Sequence, residues 1–172
     1  MRKIFDFHGG IHPAENKQQS LQTGITAAGI PAELVLSLSQ HIGAPADPVV
    51  AIGERVLKGQ LIAEATGYVS VPLHAPTSGT IIAIEDRQVA HPSGLLAPCI
   101  VIASDGEDEW TEHSGVSHYE QLAGAELLAR IRDAGIAGMG GAGFPTAVKL
   151  ALKPHTRITT LIINGTECEP YI

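Results

Sequence analysis

The spacing of apolar and polar residues changes character three times along the chain. Up to about Ile30 no regular period is present; Gly9, Gly10, Pro13 and the polar run 15–20 read as an extended arm. From Pro31 onward, short apolar segments are broken by Gly and Pro. This predicts strands near 34–38, 49–52, 60–65, 69–74, 79–85 and 100–103, the spacing of a small β-barrel or sandwich. At Asp105-Gly106-Glu107-Asp108-Glu109 the composition turns acidic, and 105–123 reads as a linker. From Gly124 the period lengthens to that of a helix, through Leu127, Leu128 and Ile131, with Gly135 as its C-terminal cap. A glycine loop, a second helix opening near Pro145 and an apolar strand at 161–163 follow, the opening of an α/β domain.

The layout is therefore an arm (1–30), a β domain (31–104), a linker (105–123) and the start of an α/β domain (124–172). The fold class is α+β. One strand with two helices cannot close a layered core, so the last part is expected to be incomplete, as though cut from a longer protein.

Composition removes several functions. With 172 residues the chain holds one ordinary domain or two small ones, and an apolar fraction of 44% is ample for a core. The net charge is −7, aromatics make up 4%, and the basic residues are scattered, so no nucleic-acid partner is expected. Cys99 and Cys168 give neither a disulfide framework nor metal-cluster spacing, which fits a reducing compartment. The N-terminus has charges but no apolar h-region and does not read as a signal peptide. No apolar run is long enough to span a bilayer, so no direct membrane insertion is expected; membrane association would come through partners.

Candidate chemistry concentrates late in the chain. Gly138, Gly140, Gly141 and Gly143 lie within six residues, followed by Phe144, Pro145 and Lys149. Glycine N–H groups can approach a ligand closely, and a helix start adds donors suited to phosphate. The match to G-x-G-x-x-G lacks the context of a dinucleotide fingerprint, because a helix and not a strand precedes it. There is no Gly-Lys-Ser/Thr P-loop ending. A plain interhelical connector is the alternative. The apolar strand at 161–163 leads into Asn164, Glu167, Cys168 and Glu169, a turn carrying an amide and two carboxylates. Such a turn beyond a strand end suits a ribose or flavin edge, with a polar turn stopped by Pro170 as its rival. The acidic turn tips the glycine segment toward a nucleotide or flavin site.

Other residues carry less. His8 and His12 stand four apart, but two intervening glycines disfavour the helix that would converge them, so no metal is assigned. His41, His74 and His91 lie at strand or turn edges, where a histidine usually donates to a backbone carbonyl. His113, His118 and His155 are expected to be solvated. Cys168 between two carboxylates is disfavoured as a thiolate, and Cys99 is expected to be buried. No Ser-His-Asp set can be assembled, and no catalytic residue is assigned.

Within the β region, Gly53-Glu54-Arg55-Val56-Leu57-Lys58-Gly59-Gln60-Leu61-Ile62 and Ala75-Pro76-Thr77-Ser78-Gly79-Thr80-Ile81 resemble the two halves of the barrel-sandwich hybrid of lipoyl and biotinyl domains. Carrier function is excluded, because no lysine lies between Gln60 and Ala75 to hold a cofactor through its amine. A wider resemblance rests on Phe7-His8-Gly9-Gly10-Ile11-His12-Pro13, Ser39-Gln40-His41-Ile42-Gly43-Ala44-Pro45-Ala46, His74-Ala75-Pro76-Thr77-Ser78-Gly79-Thr80, Gly140-Gly141-Ala142-Gly143-Phe144-Pro145-Thr146 and Asn164-Gly165-Thr166-Glu167-Cys168-Glu169-Pro170-Tyr171. In combination these resemble the C subunits of Rnf (Rsx) ion-translocating electron-transport complexes. The part from Gly124 is similar, more distantly, to the flavin-bearing NADH-oxidising subunit of respiratory complex I.

The resemblance implies a peripheral subunit on the cytoplasmic face of the bacterial inner membrane, partnered by other subunits of the complex. It would exchange electrons with NAD(H) through FMN and pass them to iron–sulfur carriers. By similarity, Gly138, Gly140, Gly141 and Gly143 would pack against flavin and nucleotide phosphates, flanked by Phe144. Lys149 would supply a charge to phosphate, Asn164 would face the flavin, and Glu167 and Glu169 would hold NADH. Two departures bear on this. The complex I pattern has Asp where this chain has Thr166, and Gly where it has Cys168, so one acidic flavin contact is lost. The family's cysteine-rich motifs for 4Fe-4S clusters belong to a C-terminal region that this sequence does not contain. The segment alone is expected neither to oxidise NADH nor to bind FMN tightly. A non-catalytic docking module, in which the glycine loop only packs, is the rival expectation.

Overall fold

The computed structural model describes residues 8–9, 13–113, 115–140, 143–153, 156–165 and 169–171. They divide into two compact units, one of residues 1–28 with 157–172 and the other spanning Gly29–Thr156.

The larger unit begins with two antiparallel sheets. Its strands are β1 (Glu33–Ser37), β2 (Asp47–Pro48), β3 (Arg55–Val56), β4 (Leu61–Glu64), β5 (Leu73–His74), β6 (Gly79–Gln88) and β7 (Leu96–Ser104). One sheet runs β1-β7-β6-β3 and the other β2-β4-β5. Between them lie Leu38, Ala46, Val56, Ile62, Ala63, Leu73, Ala75, Ile81, Ile100 and Ile102. Ile62, Ile81, Ile100 and Ile102 are wholly buried, each contributing about 1.5–3 kcal/mol of transfer free energy. This is the predicted barrel-sandwich hybrid; five of its strands overlap predicted ones with shifted ends, while β2 precedes the predicted 49–52 and β3 has no predicted counterpart. Ladder pairing falls at 47–48, ahead of the predicted 49–52, and within 69–74 only at 73–74. Pro72 removes a ladder donor inside the second segment. The strands at 79–85 and 100–103 extend into a long hairpin, with Gln88 opposite Leu96.

Residues 105–111 are bound to the sandwich. Lys58 exchanges main-chain hydrogen bonds with this segment, its N–H donating to Glu109 O at 2.8 Å and its carbonyl accepting from Thr111 N–H at 2.9 Å. The buried Ser78 hydroxyl donates to Asp105 at 2.7 Å and accepts from Glu109 N–H at 2.9 Å. Thr77 donates to Asp108 at 2.9 Å, and the Lys58 ammonium meets the same carboxylate at 2.6 Å. The Thr77-Ser78 pair of the second half-motif thus serves as a buried receptor for two aspartates.

After a 3₁₀ turn at Tyr119–Gln121 come α1 (Gly124–Asp133), a short hairpin of β8 (Ala137–Gly138) and β9 (Phe144–Pro145), and α2 (Thr146–Leu150). No residue of α1 is buried, and α2 buries only Ala147. In the smaller unit the described arm residues form one 3₁₀ turn, Ser20–Gln22. The strand predicted at 161–163 does not form. Leu161, Ile162 and Ile163 are 79%, 85% and 79% exposed, because a strand needs a ladder partner and none pairs with them among the described residues. No helix among the described residues is long and apolar enough to cross a membrane.

Candidate functional site

The glycine segment is held from both ends. At its start, α1 stops where sequence places the cap. Gly135 (φ +69°) donates to Arg132 O at 2.9 Å, and Ile136 N–H reaches back to Ile131 O at 3.4 Å. That paired arrangement satisfies the last carbonyls and requires a left-handed residue. A Cβ on Gly135 would lie 2.6 Å from Pro72 O, so the cap also seats α1 on the sandwich. Arg132 donates to Tyr68 O at 3.2 Å, with its guanidinium 5.6 Å from the Tyr68 ring centre. Within α1, Glu126 in the first turn and Arg130 and Arg132 in the last suit the helix dipole, and Glu126 pairs with Arg130 at 3.5 Å.

Beyond the cap, the predicted glycine loop is a hairpin. Ala137 pairs with Pro145 and Gly138 with Phe144, and Thr146 N–H donates to Ile136 O at 2.9 Å. At the hairpin's far end Met139 is 92% exposed, and a Cβ on Gly140 would meet nothing within 4 Å. Gly143 has different surroundings. It is buried with φ +65°, its carbonyl accepts from Ile42 N–H at 3.3 Å, and a Cβ there would sit 2.8 Å from Gln40 O. Its close backbone approach is to the sandwich's own 39–44 loop.

The helix after Pro145 has five residues, ending with Ala151 N–H on Ala147 O at 3.0 Å. It carries Lys149 back over the hairpin. The Lys149 ammonium stands 5.8 Å from the Phe144 ring centre and 2.5 Å from where a Gly138 Cβ would be. Gly138 therefore makes room for a cation. Of the candidate residues, the fold brings together Gly138, Phe144 and Lys149, with Gly140 open beside them. Asn164 and Glu169 belong to the smaller unit, where both are exposed and the Glu169 carbonyl accepts from Lys17 Nζ at 3.3 Å. Gly141 and Glu167 lie outside the described residues, as does Cys168.

The perturbed titratable groups lie on the sandwich. Asp105 is held below the usual carboxylate range first by the Ser78 hydroxyl, and Asp108 first by Lys58 and then by Thr77. The hydrogen bonds that Arg55 donates to the Glu109 and Asp105 carboxylates raise its already high value. Burial lowers His74 and raises Cys99, which is enclosed on β7 as expected. His41 behaves as expected too, its Nδ1 donating to Ile42 O at 3.0 Å. His91 departs from that expectation: its Nδ1 accepts from Ser93 N–H at 3.1 Å, because the turn at 91–94 aims an amide at the ring. His113 is exposed but packs edge-on to Trp110, with 4.5 Å between ring centres. Among the described residues no group of three or more His, Cys, Asp or Glu is placed to hold a metal ion. The contact of Gly143 with Gln40 and His41 has no counterpart in the sequence expectations. It joins positions about a hundred residues apart and leaves no local signal.

Known families match both parts of the chain. Residues 5–107 match the family model described as the RnfC barrel sandwich hybrid domain, and residues 131–172 match the Nuo51 FMN-binding domain. The second match begins in α1 and includes the whole hairpin. Three curated relatives are each named as the C subunit of an ion-translocating oxidoreductase complex. That of Vibrio cholerae is 55% identical over 99% of this chain, that of Pseudomonas aeruginosa 51% over 100%, and that of Serratia proteamaculans 50% over 99%. The chain spans 22% of the length of the first two and 24% of the third. A sandwich of this topology followed by the start of an FMN-binding domain, matched across nearly its whole length, places the chain in the RnfC family, the C subunits of ion-translocating oxidoreductase complexes.

Proposed function

We propose that this chain is part of a subunit that passes electrons between NAD(H) and iron–sulfur carriers through FMN, within a membrane complex whose other subunits move the ion. The observation that carries the reading is the corner where Gly138 leaves space for the Lys149 ammonium. It falls inside the stretch that matches an FMN-binding domain. A cation at a bare backbone, beside the open Gly140 and the exposed Met139, fits an anionic phosphate-bearing ligand.

In this reading Lys149, Gly138 and Gly140 hold the phosphate end of FMN. Phe144 fixes the lysine by lying under its ammonium, and Gly143 fastens the hairpin to the sandwich. By the resemblance alone, Asn164 would face the flavin, Glu167 and Glu169 would hold NADH, and Gly141 would pack against phosphate in the full-length subunit. When bound, FMN supplies the exchange between two-electron hydride and one-electron chemistry. The chain's own part is to bind and orient it. The 4Fe-4S clusters would lie in the part of the subunit beyond the span shared here. We place the domain boundary within 105–123 and the subunit on the cytoplasmic face of the inner membrane, peripheral and joined through its partners.

Direct titration tests this reading. FMN fluorescence should be quenched saturably by the full-length subunit, and NADH should bleach the bound flavin. A subunit that neither quenches FMN nor reacts with NADH would overturn it. The rival docking-module reading draws support from Gly135 and Gly143, where a Cβ would collide with Pro72 O and Gln40 O. On that reading the full-length subunit binds neighbouring subunits and leaves FMN fluorescence unchanged.

A further inference from the structure

We propose that His41 is a positioning residue for the flavin-binding hairpin. It would couple the sandwich to the glycine segment through the main chain of Ile42, whose carbonyl meets the ring and whose N–H meets Gly143. This inference rests on the FMN reading above.

His41 is 6% exposed and bridges two backbone segments of the sandwich. Val71 N–H donates to its Nε2 at 3.2 Å, so Nε2 is the acceptor. The proton therefore sits on Nδ1, which donates to Ile42 O at 3.0 Å. This is the neutral Nδ1–H tautomer, fixed by one partner on each nitrogen. The ring thereby sets the plane of the peptide that follows Ile42. The loop around it is tied down further: Ala44 N–H donates to Val69 O at 3.1 Å, and Ser70 Oγ donates to Ala44 O at 3.0 Å.

Ile42 also faces the hairpin. Its N–H donates to Gly143 O at 3.3 Å, and a Cβ on Gly143 would lie 2.8 Å from the Gln40 carbonyl oxygen and 3.0 Å from the His41 Cα. Gly143 is followed directly by Phe144, the residue paired with Gly138 and lying under Lys149. A continuous line thus runs from Val71 through the His41 ring, Ile42 and Gly143 to the corner that would hold the ligand. Every member of that line belongs to the larger unit. The Ser39–Ala46 motif, which has no direct part in the chemistry, has a role on this view: it is the seat on which the hairpin rests. A displaced seat shifts Gly138 and Lys149 together, and misplacing binding groups by about 1 Å can weaken function by up to about a hundredfold.

The test uses the full-length subunit with FMN as the probe. His41→Leu removes both ring hydrogen bonds, whereas His41→Asn keeps a donor near the Nδ1 position. Three readouts apply: FMN affinity by fluorescence quenching, the absorption spectrum of bound flavin, and its midpoint potential. The expected result for His41→Leu is an affinity loss of about tenfold with a shifted flavin band and potential, partly restored in His41→Asn. A purely structural histidine would lower the melting temperature but leave the spectrum and potential of the bound flavin unchanged, and that result overturns the proposal. If His41→Leu does not fold, Gly143→Ala replaces it, since it leaves the histidine's hydrogen bonds intact. It should shift the same spectrum, and an unshifted spectrum overturns the proposal. Failure of the wild-type subunit to bind FMN is a different outcome: it removes the functional reading itself, and this inference with it.

Discussion

The β-sandwich and the α1–α2 segment are parts of one compact unit, yet they are held in different ways. The sandwich hides ten apolar side chains between its sheets, four of them isoleucines with no exposure. In α1 no residue is buried, and Leu127, Leu128 and Ile131 remain partly exposed along a groove of about 470 Å³ shared with Leu150 and Leu152. The sandwich is stabilised by its own core. The α1–α2 segment is held to the sandwich's main chain: the Gly135 cap at Pro72 O, the Arg132 guanidinium on Tyr68 O, and Ile42 N–H on Gly143 O. The comparison teaches that here the glycines carry the attachment between parts, while apolar burial carries the stability within one.

Substitutions sharpen the contrast, and the largest effect belongs to the sandwich core. Ile81→Ala or Ile102→Ala should cost about 2–5 kcal/mol in urea unfolding. Ile131→Ala on α1 should cost under about 1 kcal/mol, because the side chain is only partly covered. Equal losses would contradict the distinction.

Gly143→Ala comes next. The left-handed backbone and the nearby Gln40 carbonyl both oppose a methyl group, so a loss of about 1–2 kcal/mol is expected. It should appear as faster amide exchange at Ile42. Gly140→Ala, facing open space, should change stability by less than about 0.5 kcal/mol while weakening FMN binding by the full-length subunit. Equal exchange at Ile42 in both variants would mean that Gly143 is not the fastening point.

The pH response is smaller and has a definite sign. Asp105 and Asp108 have folded values below their ordinary 3.8, so their contribution is present above that value and is lost as pH falls through the depressed values. His74 has a folded value below its ordinary 6.5, so the unfolded chain binds more protons there and stability rises with pH up to that value. Both effects make acid destabilising. Ser78→Ala removes the largest cause of the Asp105 shift, so the acid limb of the melting curve should flatten. An unchanged limb would show that the aspartate is held by something else.

How much was legible in the sequence follows the same division. The sandwich was readable because alternation and Gly/Pro breaks are local signals, and Ile81, Ile100 and Ile102 fall on the inner face as the period requires. The Gly135 cap was readable for the same reason. The hairpin at 137–145 was not, since two-residue strands have too few positions to show a period. Nor was the docking of 105–111, because an acidic run looks solvated until Ser78, Thr77 and Lys58 are placed beneath it. At 161–163 the local signal was strong, yet no ladder partner meets it among the described residues. At the candidate site the residue types were legible. The meeting of Lys149 with Gly138 and the seating of Gly143 on Gln40 were not, because both depend on packing between separate elements.

The central claim is that the ammonium of Lys149, standing over Gly138, receives the phosphate of FMN. The most direct measurement is an FMN fluorescence titration of the full-length subunit beside its Lys149→Gln variant. The unaltered subunit should quench FMN saturably and stoichiometrically. The variant should lose about tenfold or more in affinity, the usual worth of a charge-assisted hydrogen bond. Identical affinities for the two proteins would contradict it.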